Sequence, residues 1–297
     1  MDDVPSTMET VACDLCGSPE SELLLEKDGG RYARCPHCGF IFTNPRRLRF
    51  EADNEAAFLE GLARYAEKNY SPKKQREYRR SLRPLARWRK TNRFLEIGSN
   101  VGGLLAAARA EGWEVMGVEP VAECARYGRE RHGLEILPCV LEVANLPGDS
   151  FDVVYSNAVF EHLASPASVL REAHRLARPG GVVFIDTVNY DSYTRRFIGP
   201  GWKLIAPADH LSLFTPGTLR RFCAQAGFRV TRVETHGVRL RPNNSPRLRG
   251  LARWGEELVK LPLSLLCRWT LKGDSISVLA QKDAGPSTAG ASPARPG

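Results

Sequence analysis

At 297 residues, with 42% apolar and 26% charged content, the chain can hold one full α/β domain plus a small extra module, and its composition is that of an ordinary globular protein. A formal charge of +8 permits a polyanionic or phosphorylated partner without requiring one, because net charge bears on association and solubility rather than on fold. No run reaches the ~18 apolar residues of a membrane span, and the acidic, polar stretch from Met1 to Thr10 is unlike a signal peptide, so the expected location is cytoplasmic.

Residues 1–12 read as a flexible start. The eight cysteines that follow are of two kinds. Cys13-x-x-Cys16-Gly17 and Cys35-Pro36-His37-Cys38-Gly39 are two C-x-x-C-G turns separated by 18 residues, whereas Cys124, Cys139, Cys223 and Cys267 are scattered singly. The paired turns define a zinc ribbon over 13–45. Each presents two thiolates to one ion, the glycine allows the tight turn, and four thiolates leave no open coordination position, so the zinc is structural. The alternative, a pair of disulfides, is disfavoured in a reducing cytosol. His37 is not needed as a ligand, and the single cysteines read as small core residues.

A helical connector occupies 46–92. Ser71-Pro72 supplies a cap and a proline for the first helical position, and Pro84 kinks that helix or starts another. From Lys73 to Arg93 there are ten basic residues and one acid, with Arg76, Arg80, Arg83 and Arg87 on one helical face and Tyr78, Leu82 and Leu85 on another. This face reads either as a solvated surface or as a site for RNA or another anion. Tyr70 stands just ahead, where it could cover a bound cofactor.

From Arg93 to Pro120 an apolar run containing Glu96 meets the turn Gly98-Ser99-Asn100-Val101-Gly102, an Ala/Leu-rich helix and a second apolar run ending in Glu119. This is a βαβ unit of the kind that holds an adenosine cofactor. A dinucleotide site would need glycine at position 100, and the Glu96 carboxylate would repel a phosphate, so the pocket suits a cation. Leu95-Glu96-Ile97-Gly98-Ser99-Asn100-Val101-Gly102 resembles the first motif of class I S-adenosylmethionine-dependent methyltransferases. Phe151-Asp152-Val153-Val154, Glu161-His162-Leu163 and Arg178-Pro179-Gly180-Gly181 resemble the same family in the same order, over roughly 92–236. The resemblance implies that Glu119 accepts both ribose hydroxyls and that Glu96, Gly98, Ser99, Asn100, Gly102, Leu141 and Asn157 line the cofactor. It also implies a doubly wound, mostly parallel seven-stranded sheet whose last strand is antiparallel. Where the family commonly carries an adenine-binding Asp this chain has Val140, so the base is held by backbone and apolar neighbours or by Glu142.

The domain is expected over 93–282, with insertions at 189–227 and 237–273 and a disordered tail at 283–297 rich in Pro, Gly, Ala and Ser. Thr215-Pro216 caps a helix running to Ala226, and the aromatic loop before it is expected to cover the acceptor, with His210 reaching the acceptor or bonding the loop's own backbone. The apolar positions in 251–271 are expected to pack on the body, on a second subunit or weakly on a membrane surface. Glu161-His162 falls near the mouth, where a histidine can take a proton from a hydroxyl or acidic carbon; otherwise His162 pins the adjacent loop. The expected activity is O- or C-methylation of a small hydroxylated or sugar-like acceptor, as in secondary metabolism. The alternatives are ribosomal or transfer RNA methylation, and a non-catalytic zinc-ribbon protein on the same fold.

Overall fold

The computed structural model describes residues 8–47, 51–238, 266–267 and 269–284. The cysteine-bearing front forms β1 (Met8–Glu9), β2 (Glu22–Lys27), β3 (Gly30–Arg34), β4 (Ile41–Thr43) and β5 (Arg46–Arg47). Between β2 and β3, Asp28 and Gly29 are both left-handed (φ 50° and 76°), the two-residue hairpin turn whose twist matches right-twisted strands.

The connector forms α1 (Glu51–Tyr70) and α2 (Pro72–Leu82). The Ser71 hydroxyl accepts from Lys74 N at 3.3 Å at the start of α2, as the Ser-Pro pair predicts. Pro84 has no N–H for an α-helical bond, and the chain tightens there into a 3₁₀ turn over Arg83–Trp88. Leu82 and Leu85 are buried beneath it, while Arg76, Arg80, Arg83 and Arg87 are exposed, so both faces read from the spacing exist.

The remaining elements alternate: β6 (Arg93–Ile97), α3 (Gly103–Ala110), β7 (Glu114–Val118), α4 (Ala122–His132), β8 (Ile136–Leu137), β9 (Phe151–Asn157), α5 (Pro166–Leu176), β10 (Ala177–Val188), α6 (Tyr193–Ile198), β11 (Ser212–Leu213), α7 (Pro216–Gln225), β12 (Phe228–His236) and β13 (Ser275–Lys282). One seven-stranded sheet runs β12-β13-β10-β9-β6-β7-β8. Strands β6 to β10 pair in parallel, and β13 inserts antiparallel between β10 and β12, the class I methyltransferase arrangement expected. The near-continuous apolar runs of β6 and β9 follow from burial on both faces. Asp152, fully buried in β9, accepts from Lys90 N (2.9 Å) and Thr91 N (2.8 Å) and pairs with Arg178, tying the connector to the sheet.

The insertion after β10 is joined to the ribbon. Its strand β11 pairs antiparallel with β4 (Ser212↔Phe42, Leu213↔Ile41), so ribbon and insertion share a four-stranded sheet ordered β11-β4-β3-β2. Beneath it, Phe40 packs edge-on to Phe222 of α7 at 4.9 Å between ring centroids. Asp14 of the ribbon caps α5, its carboxylate accepting from Ala167 N (2.8 Å) and Ser165 Oγ (2.7 Å). Most of the apolar segment 251–271 and of the tail lies outside the described residues.

Candidate active site

Strand β6 ends in a turn with three left-handed residues, Gly98 (φ 70°), Asn100 (φ 50°) and Gly102 (φ 80°), of which Gly102 caps α3. Asparagine tolerates this conformation better than most residues, which is why the chain accepts it in place of glycine. Gly98 is needed for space as well, since a Cβ there would lie 2.4 Å from Val159 Cγ2. Gly98 N and Ser99 N both donate to Val118 O (2.9 and 3.1 Å), fastening the turn to β7.

Glu119 follows β7 and is 5% exposed. Its Oε2 accepts from Asn100 N at 2.8 Å and its Oε1 from Val121 N at 2.9 Å. Each oxygen keeps a further lone pair, the arrangement a vicinal diol such as a ribose requires. Burial raises the Glu119 carboxyl above its ordinary range against those two donors. Glu96 is more extreme, pushed well above the usual carboxylate range by burial and by the nearby Glu119 charge. Glu96 Oε2, Ser99 Oγ and Ser156 Oγ are buried and lack hydrogen-bond partners among the described residues. One acid and two hydroxyls left this way, beside the half-satisfied Glu119, fit a ligand with a cationic head and hydroxyls, which S-adenosylmethionine is.

The connector covers this turn. Tyr70 donates to Val101 O at 2.7 Å and stacks on His132 with ring centroids 3.5 Å apart, and Gln75 Nε2 reaches Gly103 O at 2.8 Å. After β8, Leu141 is buried at the start of a short 3₁₀ turn, while Val140, Glu142 and Val143 are exposed. Asn157 is exposed at the end of β9.

Beyond Asn157 the chain turns sharply at Ala158 (φ 54°), an unusual value for a residue with a Cβ, and enters the 3₁₀ turn Phe160–His162. Glu161 is 3% exposed and accepts from Thr187 Oγ1 at 2.6 Å. His162 Nδ1 faces the main-chain oxygen of Asp209 (2.8 Å) and its carboxylate (3.2 Å). Burial would lower the His162 imidazole, but Asp209 and Glu161 hold it above its usual value. His210 Nδ1 faces Leu204 O at 2.9 Å, and its ring lies edge-on to His162 with centroids 4.9 Å apart. His210 thus bonds its own loop through Nδ1, as one of its two readings expects, and its ring stands beside His162.

The sequence reading missed what holds this loop. Tyr32 of the ribbon, 0% exposed, donates to His210 O at 2.6 Å, and Thr43 N donates to Leu211 O at 2.9 Å. Lys27 Nζ donates to Trp202 O (3.1 Å) and Ile205 O (2.6 Å). The only signal available was the alternation of Tyr32 within a short strand.

The four ribbon cysteines bring Sγ atoms within 4.8 Å of one another, with Cys13–Cys38 at 3.4 Å and Cys16–Cys35 at 3.5 Å. Thiolates bound to a tetrahedral zinc at ~2.3 Å lie ~3.8 Å apart, so the set fits the ion. The two turns repeat one geometry: Gly17 N donates to Cys13 O (2.7 Å) and Gly39 N to Cys35 O (2.9 Å), with both glycines left-handed. Burial pushes the Cys35 thiol up, but backbone donors at Cys38 and His37 and the Cys16 sulfur bring it down to about 7.

A profile of the methyltransferase domain matches residues 57–233. A Ubiquinone biosynthesis O-methyltransferase of Ruegeria pomeroyi is 35% identical over 147 residues, covering 46% of this chain and 59% of that protein. This chain spans 59 to 65% of the length of the first such curated relatives. Among solved structures, a SAM-dependent methyltransferase of Archaeoglobus fulgidus superposes with a TM-score of 0.52 at 20% identity, over 76% of this chain and 99% of that one. Haemonchus contortus phosphoethanolamine N-methyltransferase 2, in complex with S-adenosyl-L-methionine, gives 0.55 at 16% identity, over 87% and 70%. At these identities the structural likeness is one of fold.

Proposed function

Since the chain belongs to the methyltransferase domain family across residues 57–233, we propose that it transfers a methyl group from S-adenosylmethionine to a hydroxyl of a small, hydroxylated or sugar-like acceptor. The observation that carries this reading is the junction of two sites: Val159, seated against Gly98, joins the turn flanked by Glu96 and Glu119 to the Glu161–His162 pair and His210. The name of the curated relatives supports oxygen over carbon as the acceptor atom.

Glu119 would hold the ribose hydroxyls, and Glu96 with Ser99 and Asn100 would surround the methionine half, where the absent Cβ of Gly98 and Gly102 leaves the backbone close. Leu141 and Asn157 would flank the adenosine. The cofactor's sulfonium supplies an already activated methyl group, so the protein's task is to hold donor and nucleophile in line, worth up to ~7–11 kcal/mol. His162 Nδ1 faces two acceptors on Asp209, so in the neutral ring the proton sits there and Nε2 carries the lone pair that can take a hydroxyl proton. His210, held by Leu204 O in the same sense, orients the acceptor or shares that proton. The ribbon zinc would hold the loop carrying His210 and leaves no coordination position for substrate.

The test is turnover of hydroxylated acceptors by His162→Ala, expected to fall ~100-fold or more with S-adenosylhomocysteine affinity unchanged; normal turnover would remove His162 as the base. The exposed arginine face of α2 favours a second reading, ribosomal or transfer RNA as acceptor. RNA binding that neutralises several phosphates weakens steeply with salt, whereas capture of a small neutral acceptor is nearly indifferent to it, so filter binding across a salt series separates the two.

A further inference from the structure

We infer that Glu161, His162 and His210 form a second metal site, open toward the acceptor and suited to a divalent first-row cation such as Mn²⁺, Fe²⁺ or Zn²⁺. The inference rests on the placement of the acceptor proposed above and assigns that mouth a cofactor of its own. One carboxylate oxygen of Glu161 and one ring nitrogen each of His162 and His210 lie within 4.8 Å of one another. An ion with bonds of ~2.0–2.2 Å draws such donors in by about an ångström of side-chain movement.

The outer contacts are those that metal-ligating histidines use. His162 Nδ1 faces Asp209 O at 2.8 Å and His210 Nδ1 faces Leu204 O at 2.9 Å, so each neutral ring carries its proton on Nδ1 and offers Nε2 as the ligand atom. Glu161 is oriented by Thr187 Oγ1 at 2.6 Å, and Asp209 Oδ2 lies 3.6 Å from His210 Nε2, adding negative charge beside the set. Proton abstraction needs one imidazole; two anchored imidazoles and a buried carboxylate in consecutive and facing positions are a ligand set. With His162 Nε2 held by the ion, the metal would take over from His162 as the group that activates the acceptor: three protein ligands leave positions open, unlike the four thiolates of the ribbon, and a hydroxyl bound there would lose its proton to solvent near neutral pH.

Titration of Mn²⁺ into protein whose ribbon is zinc-loaded, followed by the electron paramagnetic resonance signal of the free ion, tests the site without any acceptor, because Mn²⁺ prefers oxygen and nitrogen donors to thiolates. One Mn²⁺ per chain is expected, with affinity falling 100-fold or more in both His210→Ala and Glu161→Gln. The second variant keeps a partner for Thr187, and unchanged S-adenosylhomocysteine affinity in each shows that the fold is intact. Absence of binding by Mn²⁺, Co²⁺ and Zn²⁺ beyond the ribbon ion, or binding unchanged in both variants, overturns the metal site and leaves His162 as a metal-free base. Mn²⁺ binding lost in both variants, in a protein that transfers no methyl group to any hydroxyl, upholds the site and sinks the proposed function.

Discussion

Tyr32→Phe isolates the tie between the ribbon and the loop that carries His210. The ring is fully buried, so the substitution removes one hydroxyl and opens no cavity of methyl size. What it takes away is the 2.6 Å bond to the main-chain oxygen of His210. Burial pushes the Tyr32 phenol well above its ordinary value, so it remains a donor across the working pH range. A buried acceptor stripped of its donor costs ~1–3 kcal/mol, and at ~2–4 °C per kcal/mol for a domain of this size the melting temperature should fall by about 2 to 12 °C. The loss should be local. Hydrogen exchange should quicken in β11 and β4, whose ladder holds Ser212 and Leu213 to Phe42 and Ile41, while S-adenosylhomocysteine affinity stays within about twofold, because the glycine turn and Glu119 take no bond from the ribbon. Mn²⁺ affinity at the acceptor mouth should weaken as His210 loosens. Unchanged exchange in β11 together with an unchanged melting temperature would refute the idea that the ribbon positions this loop.

Cys16→Ser should lower the zinc content from one ion per chain and speed exchange in β11 in the same way, with cofactor affinity retained; full zinc by elemental analysis would contradict the four-thiolate site. Glu96→Gln should flatten the pH dependence of the unliganded protein. The Glu96 carboxyl is raised well above its unfolded value of ~4.3, so its contribution is fully present below that pH and is lost as pH rises through the folded value. The variant should therefore melt higher than wild type at pH 8 yet bind S-adenosylhomocysteine more weakly, and parallel melting-temperature profiles from pH 5 to 8 would argue against a buried, raised carboxyl. Glu119→Gln should also lose affinity, since an amide offers one acceptor where Asn100 N and Val121 N need two, and unchanged calorimetry would contradict that account.

What could be read from the residues was local and periodic. The βαβ unit from Arg93 to Pro120 announces itself because an acid, a glycine turn and a second acid stand at spacings fixed by one strand and one helix, and the two C-x-x-C-G turns do so because each completes its geometry within five residues. Thr215-Pro216 likewise gave the start of α7, where Thr215 and Thr218 cap each other. The pairing of β11 with β4 was not legible. It joins two-residue and three-residue segments about 170 positions apart, too short for any period to register. The same distance hid the bond from Tyr32 to His210. The left-handed turn at Ala158 was hidden for another reason: alanine carries no signal for it, and the neighbours that impose it, Val159 against Gly98 and Asp186 O accepting from Ala158 N at 2.9 Å, are brought by the sheet. The turn and the acid proposed to hold the cofactor were thus visible in the chain, while the neighbourhood of His162 and His210 is assembled by tertiary contacts.

In the proposed function, the turn between β6 and α3 holds the methionine half of S-adenosylmethionine and Glu119, beyond β7, holds its ribose. Isothermal calorimetry of S-adenosylhomocysteine against wild type and Glu119→Ala tests it without knowledge of the acceptor. Two charge-assisted bonds to the ribose, at ~1.5–3 kcal/mol each, amount to a loss of ~100-fold or more in the variant. Saturable binding at one ligand per chain with that loss is the predicted result; no binding by wild type, or equal binding by both proteins, would contradict it.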